Sequence, residues 1–205
     1  MEKYTPATHG ITIFLGGMLM QRRLVALGGL RGCGKSTIAG HLVNNHGFEK
    51  IAFSDILREI ALLAGIELVN NRVYLSKLGE LLRSYDSNFL LKAVDKKITA
   101  SKSNIVIEDV RFQSELKFCL ERNIQMIYLE VSRDEQIRRI QKREQCDLKE
   151  AEKLIDLTDE HYLTSESGWN QILQSEGDFR EIAERIAKSP LYSSASETNT
   201  SFFRQ

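Results

Sequence analysis

The chain has 205 residues, enough for one domain with a sizeable core, and carries 28 acidic and 28 basic residues. A net charge of zero argues against broad electrostatic binding to nucleic acid and leaves only a local basic patch for that purpose. The three cysteines, Cys33, Cys119 and Cys146, lack C-x-x-C spacing, which suggests neither a zinc site nor a disulfide framework and fits a reducing cytosol.

In chain order, Ile11 to Met20 is apolar but only about ten residues long, too short to span a bilayer. It has neither a basic n-region nor a small-residue cleavage site, so a signal peptide is not expected. Met18 and Met20 are alternative starts that would make the preceding residues a dispensable extension. Leu24-Val25-Ala26-Leu27 then reads as a buried strand, and Thr37 to Val43 as an amphipathic helix. Between them lies Gly29-Leu30-Arg31-Gly32-Cys33-Gly34-Lys35-Ser36, which fits the phosphate-binding pattern G-x-x-x-x-G-K-[ST] in its required strand–turn–helix context. Glycines remove the Cβ atoms that would keep phosphate oxygens from the backbone N–H groups. The helix N-terminus adds unpaired N–H groups and the positive end of its dipole. The Lys35 ammonium is expected to reach the β- and γ-phosphates, the Ser36 hydroxyl to ligate Mg²⁺, and Thr37 to lie in reach of the α-phosphate. Cys33 lies inside this loop, as an oxidisable thiol or simply as a small residue.

Lys50 to Phe53 reads as a short strand, followed by a helix over 56–64. Ser54 or Asp55 is its natural N-cap, and Arg58 stands one turn in. Ligands of open parallel sheets sit at the carboxyl ends of strands, so Asp55 is a cap, a substrate contact, or both. A further helix over 73–82 carries Leu75, Leu78, Leu81 and Leu82 as its stripe and ends at Arg83. Gly79 inside it costs about 1 kcal/mol relative to Ala, which implies close packing or substrate approach. Residues 89–99 form another helix, with Phe89, Leu90, Ala93, Val94 and Ile98 inward.

Asn104 to Asp109 is an apolar run ending in acid, as a Walker B carboxylate does, so Asp109 is a candidate Mg²⁺ partner through a water. If the extended conformation continues, Asp109 and Arg111 share one face, as a site or as an end-of-strand salt bridge. A helix over 113–122 and a strand over 125–131 follow. The helix over 134–143 concentrates Arg138, Arg139, Lys142 and Arg143, with Arg139 and Arg143 on one face and Ile137 and Ile140 inward. Residues 148–157 continue as helix, Trp169 to Leu173 reads as an edge strand, and Ser175 to Asp178 caps a last helix whose core face holds Phe179, Ile182, Ala183 and Ile186. Ser189 to Gln205, rich in Ser, Thr and Asn, reads as a disordered tail. Strands alternating with helices mean an α/β fold with a doubly wound parallel sheet.

Over Arg23 to Lys188 the chain resembles the P-loop nucleotide kinases, above all phage-type deoxynucleoside monophosphate kinases and the related dephospho-coenzyme A kinases. Besides the phosphate loop, Leu75-x-x-Leu78-Gly79-x-x-x-Arg83 followed by Phe89 is similar to the family's monophosphate-binding region. Glu108-Asp109-Val110-Arg111-Phe112 is similar to its Asp-x-Arg signature. His161 with Ser165-Glu166 resembles its His-x-Ser-Glu lid segment, with a gap longer by two residues. Ser175-Glu176-Gly177 stands where the family has an Asn-x-Gly loop near adenine.

The resemblance implies a three-layer α/β/α kinase with a five-stranded sheet ordered 2-3-1-4-5. It divides the chain into an extension (1–20), a kinase domain (21–188) with an acceptor region near 54–100 and a lid near 133–166, and a tail (189–205). It also implies an ATP-dependent, Mg²⁺-assisted transfer to a nucleotide-type acceptor, most simply a (deoxy)nucleoside monophosphate. Gly29, Arg31, Gly32, Cys33, Gly34, Lys35, Ser36 and Thr37 would bind ATP, and Ser36 and Asp109 the metal. Arg58, Arg83 and Arg111, with Asp55, Gly79 and His161, would bind the acceptor. Lys35, Arg139 and Arg143 would neutralise the transferred group, and Asp55 or Asp109 would be the base if the acceptor were a hydroxyl. A cytoplasmic monomer or homodimer with no membrane attachment is expected. An ATP-dependent switch with slow hydrolysis is the competing class. A kinase acting on a hydroxyl in DNA gains nothing from the neutral charge. A GTPase lacks its N-K-x-D signature, and the chain is short for an AAA-type motor.

Overall fold

The computed structural model describes residues 13–15, 18–20, 22–65, 71–156 and 163–189. The rest of the N-terminal extension, His161 of the lid and the tail from residue 190 lie outside the described residues. Within the N-terminal apolar stretch, β1 (Ile13–Leu15) pairs antiparallel with β2 (Met18–Met20) as a separate two-stranded sheet.

The main sheet has five strands: β3 (Leu24–Gly28), β4 (Phe48–Ala52), β5 (Asn104–Glu108), β6 (Gln125–Glu130) and β7 (Gln171–Gln174). All neighbours run parallel in the order β4-β5-β3-β6-β7, which is the expected 2-3-1-4-5. Parallel strands are covered on both faces, so they read as continuous apolar runs instead of alternating ones. The period-two backbone nevertheless sorts them. Ala26, Ile51, Ile105, Ile107 and Met126 face a core built with α2 (Phe53–Leu63), α3 (Arg72–Tyr85), α4 (Phe89–Ala100) and α5 (Gln113–Glu121). Val25, Leu27, Val106, Ile127, Leu129 and Leu173 face the other way, against α1 (Lys35–His46) and α8 (Phe179–Lys188). A small third cluster, Ile140, Ala151 and Ile155, joins α6 (Arg133–Glu144) to α7 (Leu148–Ile155). Among the described residues no helix is long and apolar enough to cross a membrane.

Four local expectations change. Helix α2 starts at Phe53 with Ala52 as its N-cap, so Ser54 and Asp55 lie within the first turn and neither caps it. Their side chains serve Arg58 instead, whose Nη1 donates to Asp55 Oδ1 at 2.7 Å and Ser54 Oγ at 3.0 Å. Strand β5 ends at Glu108, because Asp109 takes the left-handed conformation (φ 71°) and the N–H groups of Asp109 and Val110 both turn onto the Leu27 carbonyl at 3.1 Å. Trp169 precedes β7. Phe179, assigned to the core, is 37% exposed and packs edge-on against His41.

Candidate active site

The phosphate loop leaves β3 at the carboxyl end of the central strand, where ligands of such sheets gather. Gly34 is the N-cap of α1 at φ 98°, a left-handed position that a side chain would strain. A Cβ on Gly28 would overlap three carbons of the Trp169 ring, the only tryptophan in the chain. Gly28→Ala should therefore cost about 1–3 kcal/mol by overpacking. Urea denaturation followed by Trp169 emission checks this, and an unchanged midpoint with unshifted emission refutes the packing.

Lys35 lies back along the loop. Its Nζ donates to the Gly29 carbonyl at 2.6 Å and the Leu30 carbonyl at 3.1 Å, and stands 3.6 Å from Asp109 Oδ1. Ser36 Oγ donates to Glu108 Oε1, and Lys50 Nζ approaches the other Glu108 oxygen at 3.3 Å. Glu108 shares its strand parity with Val106 and so faces α1, whereas Asp109 is turned away by its backbone. The acid beside Ser36 is thus Glu108, and Asp109 is the acid beside Lys35 and Arg111, whose Nε donates to Asp109 Oδ2 at 2.8 Å. The sequence reading points to Asp109, and parity with Val106 is the signal by which Glu108 could have been found. Ser36 and Thr37 are exposed at the start of α1, while Cys33 is fully buried with its sulfur 3.6 Å from Lys35 Nζ.

Helix α6 braces the loop from the other side. Gln136, which sequence reasoning passed over, is 2% exposed and donates through Nε2 to the Arg31 carbonyl at 2.7 Å. Arg139 reaches the Gly32 carbonyl at 3.3 Å and the Ser175 carbonyl at 2.7 Å, with its Nε on Glu135 at 2.7 Å. Hydrogen bonds from Arg138 and Arg139 hold the Glu135 carboxyl down at about 2, so it is ionised whenever it orients Arg139. Arg143 does not join Arg139. It is exposed and pairs at 2.8 Å with Glu144, which also takes Arg31 at 3.4 Å.

On the opposite flank, Arg83 Nη2 stands 3.4 Å from Glu115 Oε1, and Glu115 Oε2 accepts from the Arg111 N–H at 2.9 Å. Glu115 was also missed. Burial pushes its carboxyl up to about 7, against the opposing pull of the Arg111 and Phe112 N–H groups and of Arg83. Lys35, Asp109 and the Arg111 guanidinium form a charged line from the phosphate loop, and Glu115 continues it to Arg83 on α3 by way of the Arg111 backbone N–H. Gly79 has its packing reason: a Cβ there would stand 2.9 Å from Arg83 Nη1. Asp55 and Arg58 pair locally on α2, and Asp55 lines an open cavity of about 440 Å³ along β4 to which no loop residue contributes. A cavity of about 10 Å³ lies at the charged line itself, walled by Gly29, Asp109, Val110, Arg111 and Leu163.

Among the described residues no cluster of three or more His, Cys, Asp or Glu could hold a metal ion. The arrangement instead offers oxygen donors beside a phosphate cradle, with guanidiniums on both flanks.

Comparison with known proteins agrees with this architecture. A structure of an uncharacterized protein from Eubacterium ventriosum superposes with a TM-score of 0.52 at 15% identity, covering 82% of this chain and 97% of that one. TT1252 from Thermus thermophilus gives 0.55 at 16% identity, covering 82% and 95%. Shikimate kinase from Acinetobacter baumannii gives 0.50 at 18% identity, covering 80% and 90%. No curated protein matches the chain. A protein-family model described as AAA domain matches residues 25–160, which include the phosphate loop, β5 and the charged line. With a three-layer P-loop kinase fold and that match over more than half its length, the chain belongs to the AAA domain family.

Proposed function

We propose that the protein is an ATP-dependent phosphotransferase that moves the γ-phosphoryl group of ATP to a nucleotide-type acceptor, a (deoxy)nucleoside monophosphate. The observation that carries this reading is the run Lys35–Asp109–Arg111 from the phosphate-binding loop, with Glu115 tying the Arg111 backbone N–H to the Arg83 guanidinium. A switch that only binds ATP has no need of a second anion site reached from the first.

In this reading the loop N–H groups and the start of α1 bind the ATP phosphates, and the Lys35 ammonium shifts from the loop carbonyls onto the β- and γ-oxygens. Ser36 and Glu108 fit Mg²⁺, a hard cation that takes few side chains and keeps waters and phosphates as its other ligands, and Asp109 is the second carboxylate at the loop. Bound with the nucleotide, that ion would offset negative charge on the β- and γ-phosphates. Arg139, held at the loop by Glu135 and the Gly32 and Ser175 carbonyls, addresses the transferred group, and Arg143 would have to leave Glu144 to join it. Arg83 and Arg111, with Arg58 from α2, hold the acceptor phosphate through bidentate bonds. A phosphate acceptor needs no strong base, since phosphoryl transfer asks mainly for positioning and electrostatics. The three free cysteines, Cys33, Cys119 and Cys146, suit the cytoplasm.

The test is ATP consumption with product identification against the common ribo- and deoxynucleoside monophosphates, dephospho-coenzyme A and hydroxymethylated DNA. Stimulation by one monophosphate, with its diphosphate appearing, is the expected result. Turnover with dephospho-coenzyme A or DNA alone would replace the acceptor. Tight ATP binding with no stimulation by any of them would return the protein to the switch class.

A further inference from the structure

Arg83 and Arg111 come from elements far apart in the chain, yet one side chain contacts the guanidinium of Arg83 and the backbone of Arg111. Glu115 lies in the first turn of α5 and is 3% exposed. Its Oε2 accepts from the backbone N–H groups of Arg111 at 2.9 Å and Phe112 at 3.2 Å, while its Oε1 faces Arg83 Nη2 at 3.4 Å. The Arg83 guanidinium has two more walls. The Phe112 ring centre lies 4.1 Å from its central carbon, and Gly79 leaves room that a Cβ would fill, at 2.9 Å from Nη1. Three elements thus converge on one guanidinium: α3, the turn after β5, and α5.

A glutamate that only capped α5 could do so from an exposed position, because the cap bond involves the adjacent backbone alone. Burial of a carboxylate is costly unless it is paired and hydrogen-bonded, so the depth of Glu115 is explained by its reach to Arg83. The Arg83 and Arg111 side chains keep 26% and 29% of their surface exposed, so both retain surface for a ligand. A planar guanidinium binds a phosphate bidentately only when its plane is set in advance, and an unlocked arginine loses rotamer freedom on binding.

We propose that Glu115 is a positioning residue for a phosphomonoester acceptor: it fixes Arg83 and the Arg111 turn on one frame so that both guanidiniums address the same phosphate, with Gly79 and Phe112 completing the seat of Arg83. The proposal rests on the phosphotransferase reading above. Glu115 itself touches no reacting atom. Gly79, which the sequence offered as a substrate contact, acts through Arg83.

The test uses the full chain with its loop filled by a non-hydrolysable ATP analogue, and inorganic phosphate as the calorimetric probe of the second site. Glu115→Gln keeps the shape and can still accept from the Arg111 and Phe112 N–H groups, but at a pH above about 7, where the carboxyl is ionised, it loses the charge that faces Arg83. It should raise the phosphate Kd about tenfold, as expected for releasing one immobilised side chain, while the analogue Kd stays within about twofold. Gly79→Ala should weaken phosphate in the same way while the melting temperature holds or rises, because alanine is the better helix former and the displaced atom is the tip of a flexible side chain. A merely structural role would not separate stability from phosphate affinity in this manner. In the double variant Glu115→Gln/Arg83→Ala, phosphate should bind no more weakly than in Arg83→Ala, since Glu115 acts through Arg83. Phosphate affinity retained in both single variants would overturn the positioning role alone. A wild-type protein that binds the analogue but no phosphate would overturn the acceptor-site reading and this proposal with it.

Discussion

Replacing Lys35 by methionine is expected to lower phosphoryl-transfer turnover by about 10³-fold, with folding retained. Methionine keeps an apolar stem of similar reach while removing the ammonium. In the resting structure that ammonium satisfies the Gly29 and Leu30 carbonyls at 2.6 and 3.1 Å and stands 3.6 Å from Asp109. Its loss therefore has two separable consequences. The loop carbonyls can turn to water at modest cost, which a denaturation midpoint would record as a small shift. The charge that follows the γ-phosphoryl through the transition state has no such substitute, because transfer depends on electrostatic stabilisation in a site that excludes water. The measurement is single-turnover product formation at saturating ATP, with the acceptor found in the panel. Near-normal turnover in this variant would remove the loop from the chemistry and leave the assignment of the site wrong.

The second large effect separates two adjacent acids. Glu108→Gln is expected to lower turnover by about 10²-fold and to move the Mg²⁺ dependence to higher concentration, because glutamine still accepts from Ser36 but brings no charge to the metal side. Asp109→Asn should leave the Mg²⁺ dependence where it is. It should instead raise the acceptor KM, since Asp109 orients Arg111 through its Nε at 2.8 Å. Steady-state rates across a magnesium series, with ATP and then acceptor varied, distinguish them. If Asp109→Asn shifts the magnesium curve and Glu108→Gln does not, the metal belongs to Asp109, as its place at the end of an apolar strand first suggested.

These two neighbouring acids show how far a strand can be read from its letters. The run from Asn104 to Asp109 announces a buried strand with acid at its carboxyl end, and β5 is that strand. Which acid faces the loop depends on where the extended conformation stops. It stops at Glu108 because Asp109 adopts φ 71° and hands its N–H to the Leu27 carbonyl of β3. A hydrogen bond to a residue some eighty positions earlier is invisible in the local pattern. The two arginines of α6 teach the same lesson. Helical periodicity puts Arg139 and Arg143 on one face, but Glu135 and the Ser175 carbonyl draw Arg139 to the loop while Glu144 holds Arg143 outside.

The sequence by itself determined the phosphate loop, the alternation of strands and helices, and hence a parallel sheet with its ligand site at the carboxyl ends. Those features are local: a glycine pattern, apolar runs and turn residues act over a few positions, and right-handed crossover connections leave few ways to stack them. Only the tertiary structure decided that Glu108 answers Ser36, that Gln136 braces the loop from below, and that Glu115 joins Arg83 to Arg111. Each of those is a side-chain contact between elements separated by tens of residues, set by strand parity, helix rotation and the depth at which a charge can be buried once a partner is within reach.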